Sequence, residues 1–222
     1  MKIEEAYIRF VDIVNRNMTN NNVNVDKIRF IFLFNSASIK YLSWILEKRN
    51  EDDIRQVAPF LVLDSELKVH EKQAQFDKYK LPKDYFDLAN VSVFASKDSC
   101  INQKLFTFEV KSENTEELLA DENNKPSFDY RETFYLTASD KLIVYKDSFS
   151  IDSVILAYYR YPKKVDIEGY FKEDGKASVS IDPEFSDRAI EKILLIMAKD
   201  FTATNGDANG FQINSARLAS EY

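Results

Sequence analysis

Glycine, cysteine, histidine and tryptophan are nearly missing from this chain: 222 residues hold four Gly and one each of Cys, His and Trp. Each scarcity removes a class of function. Neither G-x-G-x-x-G nor G-x-x-x-x-G-K-[ST] occurs, so no loop of the kind that cradles nucleotide phosphates is expected. A single cysteine, Cys100, permits no internal disulfide and is compatible with a reducing compartment. One Cys and one His fall short of the ligand set of a zinc site. Histidine catalysis has only His70 to draw on, in the polar stretch Lys68-Val69-His70-Glu71-Lys72. Nothing in the sequence marks a nucleophile for it, and it reads as a surface histidine. Cys100, in Lys97-Asp98-Ser99-Cys100-Ile101-Asn102, reads as a half-buried structural thiol between strands. Many carboxylates are available for glycosidase-type pairs, but a sugar-cleaving cleft is expected to carry several Trp, and only Trp44 exists. The acid-dense Glu51-Asp52-Asp53 and Glu116-Glu117 do not follow the spacing of a calcium loop and read as solvated faces. The expectation is therefore no enzyme, no metal and no cofactor.

Long apolar runs are missing too. One such run, Phe30 to Phe34, is flanked by Arg29 and Asn35, and none approaches the roughly 18 residues that span a bilayer. The N-terminus, Met-Lys-Ile-Glu-Glu-Ala-Tyr, lacks the apolar core of a signal peptide. We expect a soluble protein made in the cytoplasm, without membrane contact. Basic charge is in deficit: 30 Lys and Arg against 37 Asp and Glu give a net −7. Such a surface has no general attraction for phosphate backbones.

What is abundant is apolar and aromatic. Apolar residues make up 45%, enough for a sizeable core. The 17 Phe and 12 Tyr suit either a Tyr-rich sheet or a large contact surface.

Ile3, Tyr7, Phe10 and Val14 predict an amphipathic first helix, ending at the Thr-Asn-Asn-Asn turn of 19–22. A second helix is predicted from an Asp26 cap towards Lys48, with Ile28, Phe32, Ile39, Leu42 and Leu46 as its stripe. Phe30 to Phe34 taken alone reads equally as a buried strand. A short helix is expected over Glu51 to Val57, stopped by Pro59. From Phe60 to Val165, runs such as Val91–Phe94, Lys104–Val110, Thr133–Leu136, Lys141–Tyr145 and Ser153–Tyr159 are β-branched and aromatic. They predict an antiparallel sheet or small barrel of five or six strands. The acidic stretch 112–129 reads as an exposed loop. Asp174-Gly175 reads as a hairpin turn between Tyr170-Phe171 and Ala177 to Ile181. A last helix follows, with Asp182 as cap, Pro183 in the first turn and a stripe of Ile190, Ile193, Leu194, Met197 and Phe201. It should end near Thr202–Asn205. The predicted fold class is α+β. One domain is expected over 1–204 (1–58 mainly helical, 60–181 mainly β, 182–204 helical), with an extended tail at 205–222.

A series of motifs stands in order along the second half: Leu81-Pro82-Lys83-Asp84-Tyr85-Phe86, Lys125 to Thr133, Tyr158-Tyr159-Arg160-Tyr161-Pro162-Lys163-Lys164, Asp166 to Tyr170, and Asp182-Pro183-Glu184-Phe185. This series, over roughly residues 75–201, resembles head–tail connector or ring proteins of tailed bacteriophages, including the crAss-like phages of gut Bacteroidetes. The resemblance carries no catalytic residue. It implies a virion structural protein, a homo-oligomeric ring of twelve copies stacked beneath the portal, with the portal and other tail or ring proteins as partners. DNA would pass through the channel without specific binding. Closing such a ring needs a heterologous interface, and an apolar tail beyond a flexible linker suits it. Phe211, Ile213 and Leu218 are the expected interface anchors. The competing reading is a carbohydrate- or protein-binding β-module with a helical appendage.

The charge balance yields a first prediction. Lys and Arg never run longer than two, so duplex DNA should bind no tighter than about 10⁻⁴–10⁻⁶ M at physiological salt. Salt-sensitive nanomolar binding in an electrophoretic shift assay would contradict it.

Overall fold

The computed structural model describes residues 1–17, 25–48, 54–172 and 174–220. The Asn-rich turn at 19–22 and the acids at 51–53 lie outside the described residues. The chain is α+β, as its residues predict, and it divides into two compact units. A helical unit joins residues 1–60 to 162–222, and a sheet unit spans 61–161.

The helical unit begins with α1 (Ile3–Asn17) and α2 (Lys27–Lys48), followed by a 3₁₀ turn (Arg55–Phe60). Pro59 sits inside that turn instead of ending it, because a 3₁₀ turn has few i−4 bonds for the ring to break. α1 buries Ile3, Ala6, Phe10 and Val14. The half-buried Tyr7 donates its hydroxyl to the Val25 carbonyl (2.8 Å). Asp26 Oδ1 accepts the Arg29 amide at 2.6 Å, which is the expected cap of α2. Of the expected α2 stripe, Leu42 and Leu46 are buried, together with Phe30, Phe34, Ala37, Tyr41 and Ile45, whereas Ile28, Phe32 and Ile39 face solvent.

After the sheet unit, Val165 to Ile181 form a loose hairpin, bridged at Asp166–Ile181 and Phe171–Ala177. Gly175 at φ +77° makes its turn, as Asp174-Gly175 suggested. The next helix starts later than expected and runs Asp187–Thr204, capped by Ser186, whose Oγ accepts the Ala189 amide. Asp182 instead accepts the Ile3 amide (2.9 Å) and so caps α1. Residues 183–186 stay non-helical where Phe185 wedges between Tyr41 (6.0 Å) and Phe60 (4.6 Å). The expected extended tail is also corrected. Residues Ala208–Ser220 form a further helix, entered through Gly206 at φ +71° and capped by Asp207, whose Oδ1 accepts the Gly210 amide at 3.0 Å.

The sheet unit has eight strands, more than the five or six expected: β1 (Leu61–Glu66), β2 (Val69–Lys72), β3 (Phe76–Lys80), β4 (Tyr85–Lys97), β5 (Cys100–Glu109), β6 (Glu132–Ala138), β7 (Lys141–Tyr145) and β8 (Ser150–Arg160). They form one curled sheet in the order β1-β8-β4-β5-β6-β7-β3-β2. The sheet is not wholly antiparallel, since β5 and β6 run parallel. A parallel pair needs a long crossover, and residues 110–131 supply it. This segment, expected as a plain exposed loop, carries α3 (Thr115–Ala120). Its Leu118 and Leu119 pack on Val110, Phe134 and Tyr145. The helices after α3 are therefore α4 (Asp187–Thr204) and α5 (Ala208–Ser220).

Alternation along the strands sends one set of side chains into the curl. Val91, Val93 and Ala95 of β4 meet Leu105, Leu142, Val144, Val154, Leu156 and Tyr158 there.

In the helical unit, Phe10 stands 5.7 Å from Phe30 and 5.9 Å from Phe201, joining α1, α2 and α4. Leu194, 1% exposed, lies in the same core. Leu194→Asp should therefore lose several kcal/mol, by burying a charge without a partner. Urea denaturation measures this, and an unchanged midpoint would show that α4 packs differently.

Candidate interaction surfaces

His70 sits exposed on the edge strand β2, and no catalytic partner for it is found among the described residues. Cys100 corrects its expectation: it is exposed, at the start of β5 where a tight turn follows β4. The turn leaves Asp98, Ser99 and Cys100 all exposed. Glu116 and Glu117 are exposed on α3. Among the described residues no group of three or more His, Cys, Asp or Glu is placed to hold a metal ion. Likewise, no described helix is long and apolar enough to cross a membrane.

Two of the ordered motifs meet. Tyr158 donates its hydroxyl to Asp84 Oδ1 (3.0 Å), and the Tyr161 amide donates to the Asp84 carbonyl (2.8 Å). Phe86 and Tyr161 pack edge to face, 4.8 Å between centroids. The Leu81–Phe86 turn thus clamps the end of β8.

The inner face of the sheet holds polar groups that composition did not reveal. Asp77 is 1% exposed, and its Oδ1 takes the Lys146 ammonium at 2.5 Å. Asp77 Oδ2 and the Tyr79 hydroxyl, two residues apart on the same face of β3, have no hydrogen-bond partner among the described residues. Burial pushes the Tyr79 hydroxyl far above the ordinary tyrosine range, and the Asp77 charge adds to the shift. Burial also lifts Tyr85 and Tyr135 to about 12, with Glu109 adding to both. In the helical unit, burial acts to raise the Asp166 carboxyl. Bonds from Lys172, from the Tyr170 hydroxyl and from the Ile167 amide outweigh it and hold the carboxyl low.

The three expected anchors lie on α5, but they do not share a face. Gly210 and Asn214 are buried on the packed side of α5, and Leu218 beside them is half-buried. Phe211, 37% exposed, borders that side, with the Lys199 ammonium over its ring at 5.6 Å. Ile213, 41% exposed, points nearly the opposite way from Phe211, as a two-residue step on a helix requires. Gly210 leaves the close approach open, since a methyl there would overlap the Asp207 carboxylate and Thr202.

Two other surface features were not anticipated. Along α2, Ile28, Phe32, Ser36 and Ile39 recur at +4, +8 and +11 as one exposed stripe, with Phe32 at 73%. Between α1 and α4 runs a groove of about 340 Å³, lined by Arg9, Asp12, Ile13, Glu191, Leu194 and Leu195 among others. Its rim is tied by Arg9, which pairs with Glu191 (2.5 Å) and Glu5 (2.9 Å). The sheet unit also exposes Phe106 and Tyr130 on its outside, near Lys104 and Arg131. No protein-family model and no curated protein matches this chain.

The Asp77–Lys146 pair generates a prediction. Lys146→Ala strands a buried carboxylate and should cost about 3–5 kcal/mol, whereas Lys78→Ala, at a partly exposed pair with Glu71, should cost under about 1. Equal effects in urea titrations would show that Asp77 is hydrated.

Proposed function

We propose that this chain is a virion structural protein made in the host cytoplasm, a head–tail connector subunit that closes into an oligomeric ring beneath the portal and around the DNA channel. The observation that carries this reading is the pair of apolar features on the helical unit, the α2 stripe and the α1–α4 groove. Stable monomers seldom leave large apolar groups aligned on a helix face. A ring subunit needs two unlike surfaces, each fitting the other on a neighbour. The net charge of −7 suits a wall that DNA must slide past, because each phosphate contact would add a sticking point. The ordered motifs also support it. Leu81–Phe86 and Tyr158–Tyr161 clamp each other, so their order reflects a structural need.

The second reading, a carbohydrate- or protein-binding β-module, draws support from the exposed Phe106 and Tyr130. The curl of the sheet is filled by side chains. A ligand of such a module would therefore bind on the outer face, where aromatic rings can stack on a sugar or anchor a peptide.

Mass photometry and negative-stain imaging separate the two. The protein should form closed rings, alone or when mixed with a portal protein. A monomer or dimer under both conditions, combined with binding on a glycan array that Phe106→Ala abolishes, would replace the connector reading with the second.

A further inference from the structure

We propose that Asn205–Gly206, the joint between α4 and α5, is a site of spontaneous deamidation, and that its product unseats α5. The inference does not depend on the connector reading. Among the described residues Asn35, Asn205, Asn209 and Asn214 precede a Gly or a Ser, the small residues that leave a backbone amide open to attack. The structure singles out one of them.

The reaction needs only hydroxide and water. The Gly206 backbone nitrogen, having lost its proton to hydroxide, attacks Asn205 Cγ. A new C–N bond closes a succinimide ring, the bond from Cγ to the side-chain nitrogen breaks, and that nitrogen leaves as ammonia with a proton from solvent. Water then opens the ring at one of its two carbonyls. One opening leaves an aspartate, and the other leaves an isoaspartate, in which the chain runs through the side-chain carbon. The attack requires an uncrowded nitrogen, a weakly held amide hydrogen and a backbone outside a regular helix. The joint meets each requirement. Gly206 has no side chain, and nothing stands within 4 Å of where a Cβ would be. Its amide donates to the Ala203 carbonyl at 3.3 Å, a long bond. Asn205 is exposed and, at ψ 2°, has already left the helical conformation. Arg29 Nη2 donates to Asn205 Oδ1 at 3.4 Å, so a guanidinium faces the oxygen that carries the negative charge of the tetrahedral intermediate.

The other three asparagines are held. Asn209 also precedes a glycine, but Gly210 is buried in the first turn of α5 and its amide donates to Asp207 Oδ1 at 3.0 Å. Asn35 lies inside α2, donates to the Ile31 and Val165 carbonyls and accepts the Val165 amide. Asn214 is 0% exposed within α5. The product matters because of where the joint lies. α4 ends in a double closure: the Asp207 amide donates to the Thr202 carbonyl (3.0 Å) and the Gly206 amide to the Ala203 carbonyl. An isoaspartate adds a carbon to the backbone inside that closure, so the two bonds no longer form together. The carboxylate it releases also stands at the negative end of α4. Asp207, which caps α5, is displaced with the closure.

The test ages the full chain in heavy-oxygen water at mildly alkaline pH. Proteolysis before Asp207 separates Asn205 from Asn209, and peptide mass spectra then read the oxygen taken up at each. In the folded protein, uptake at Asn205 should be faster than at Asn209 by about tenfold or more, and should rise with pH. In urea above the unfolding midpoint the two rates should become equal, since both asparagines precede a glycine. Equal rates in the folded protein, or an Asn205 that reacts only in urea, would overturn the site. The second half is read by hydrogen exchange. The α5 amides of the aged protein should exchange faster than those of fresh protein, while Asn205→Gln, whose longer side chain closes the ring far more slowly, should keep its protection through the same ageing. Unchanged exchange in α5 once isoaspartate has formed would overturn the claim that the product unseats it. Equal loss of protection in Asn205→Gln would trace the loosening to another cause and overturn the same claim.

Discussion

Phe10 is the side chain on which the helical unit depends. Its ring touches Phe30 of α2 and Phe201 of α4, residues that reach the same core from opposite sides of the sheet unit in the chain. A contact across such a sequence separation carries a loop-closure cost that grows with the length of the intervening chain. The sheet lowers that cost. β1 begins the sheet unit, β8 ends it, and the two pair antiparallel, with Leu61 opposite Tyr159. The chain thus leaves the helical unit and returns to it at neighbouring points. Residues 61–161 then act as a closed loop within the helical unit, and its two halves meet without a long search. Asn35 secures the return: its amide and carbonyl groups bond both backbone groups of Val165, at 3.2 and 2.9 Å.

How far the fold could be read from the sequence follows from what each element buries. α1 and α4 concentrate their large apolar residues on one side, Ile3, Phe10 and Val14 in the first and Ile190, Leu194, Met197 and Phe201 in the second, so a period of 3.6 identifies both the helix and its inner face. α2 is apolar on two sides. Ile28, Phe32 and Ile39 fit that period as well as Phe30, Phe34 and Tyr41 do, and periodicity has no means of ranking two faces that both satisfy it. The two leucines assigned to the stripe, Leu42 and Leu46, are buried. The wrong choice is thus informative: the residues that make α2 ambiguous in the sequence are the ones left uncovered in the subunit. β2 and β3 escaped notice because Lys, Glu and Asp fill Val69–Lys72 and Phe76–Lys80. Edge and near-edge strands carry such charges as protection against unwanted pairing. The helix α5 hid behind Asn205-Gly206 and Asn209-Gly210, which read as a linker. The first pair does end α4, while Asp207 restarts a helix at once, and a two-residue restart lies below the resolution of composition.

Chemistry-bearing residues followed a different rule. His70 lay where the polarity of its neighbours put it. Cys100 did not, because burial depends on where a strand turns. The Asp77–Lys146 pair was invisible, being 69 residues apart in the chain and marked by no motif. Such a pair adds little net stability over an apolar replacement, but it penalises any register that parts its members. In a sheet whose strands alternate by twos, a slip of one residue in β3 would turn Asp77 outward and Phe76 inward. The pair and the buried Tyr79 ring therefore act as a register lock on β3, next to the sheet edge at β2.

The distribution of apolar surface separates the roles of the two units. The curl of the sheet unit is filled and α3 packs on Val110, Phe134 and Tyr145, while Leu63, Ile101, Phe106 and Tyr130 stay exposed as single side chains. In the helical unit the exposed apolar side chains Ile28, Phe32 and Ile39 are instead aligned on one face of α2. A chain selected only to fold would gain from a charge at Phe32, which raises solubility without touching the core. Retaining a phenylalanine that is nearly three-quarters exposed makes physical sense only if something covers it for much of the protein's life.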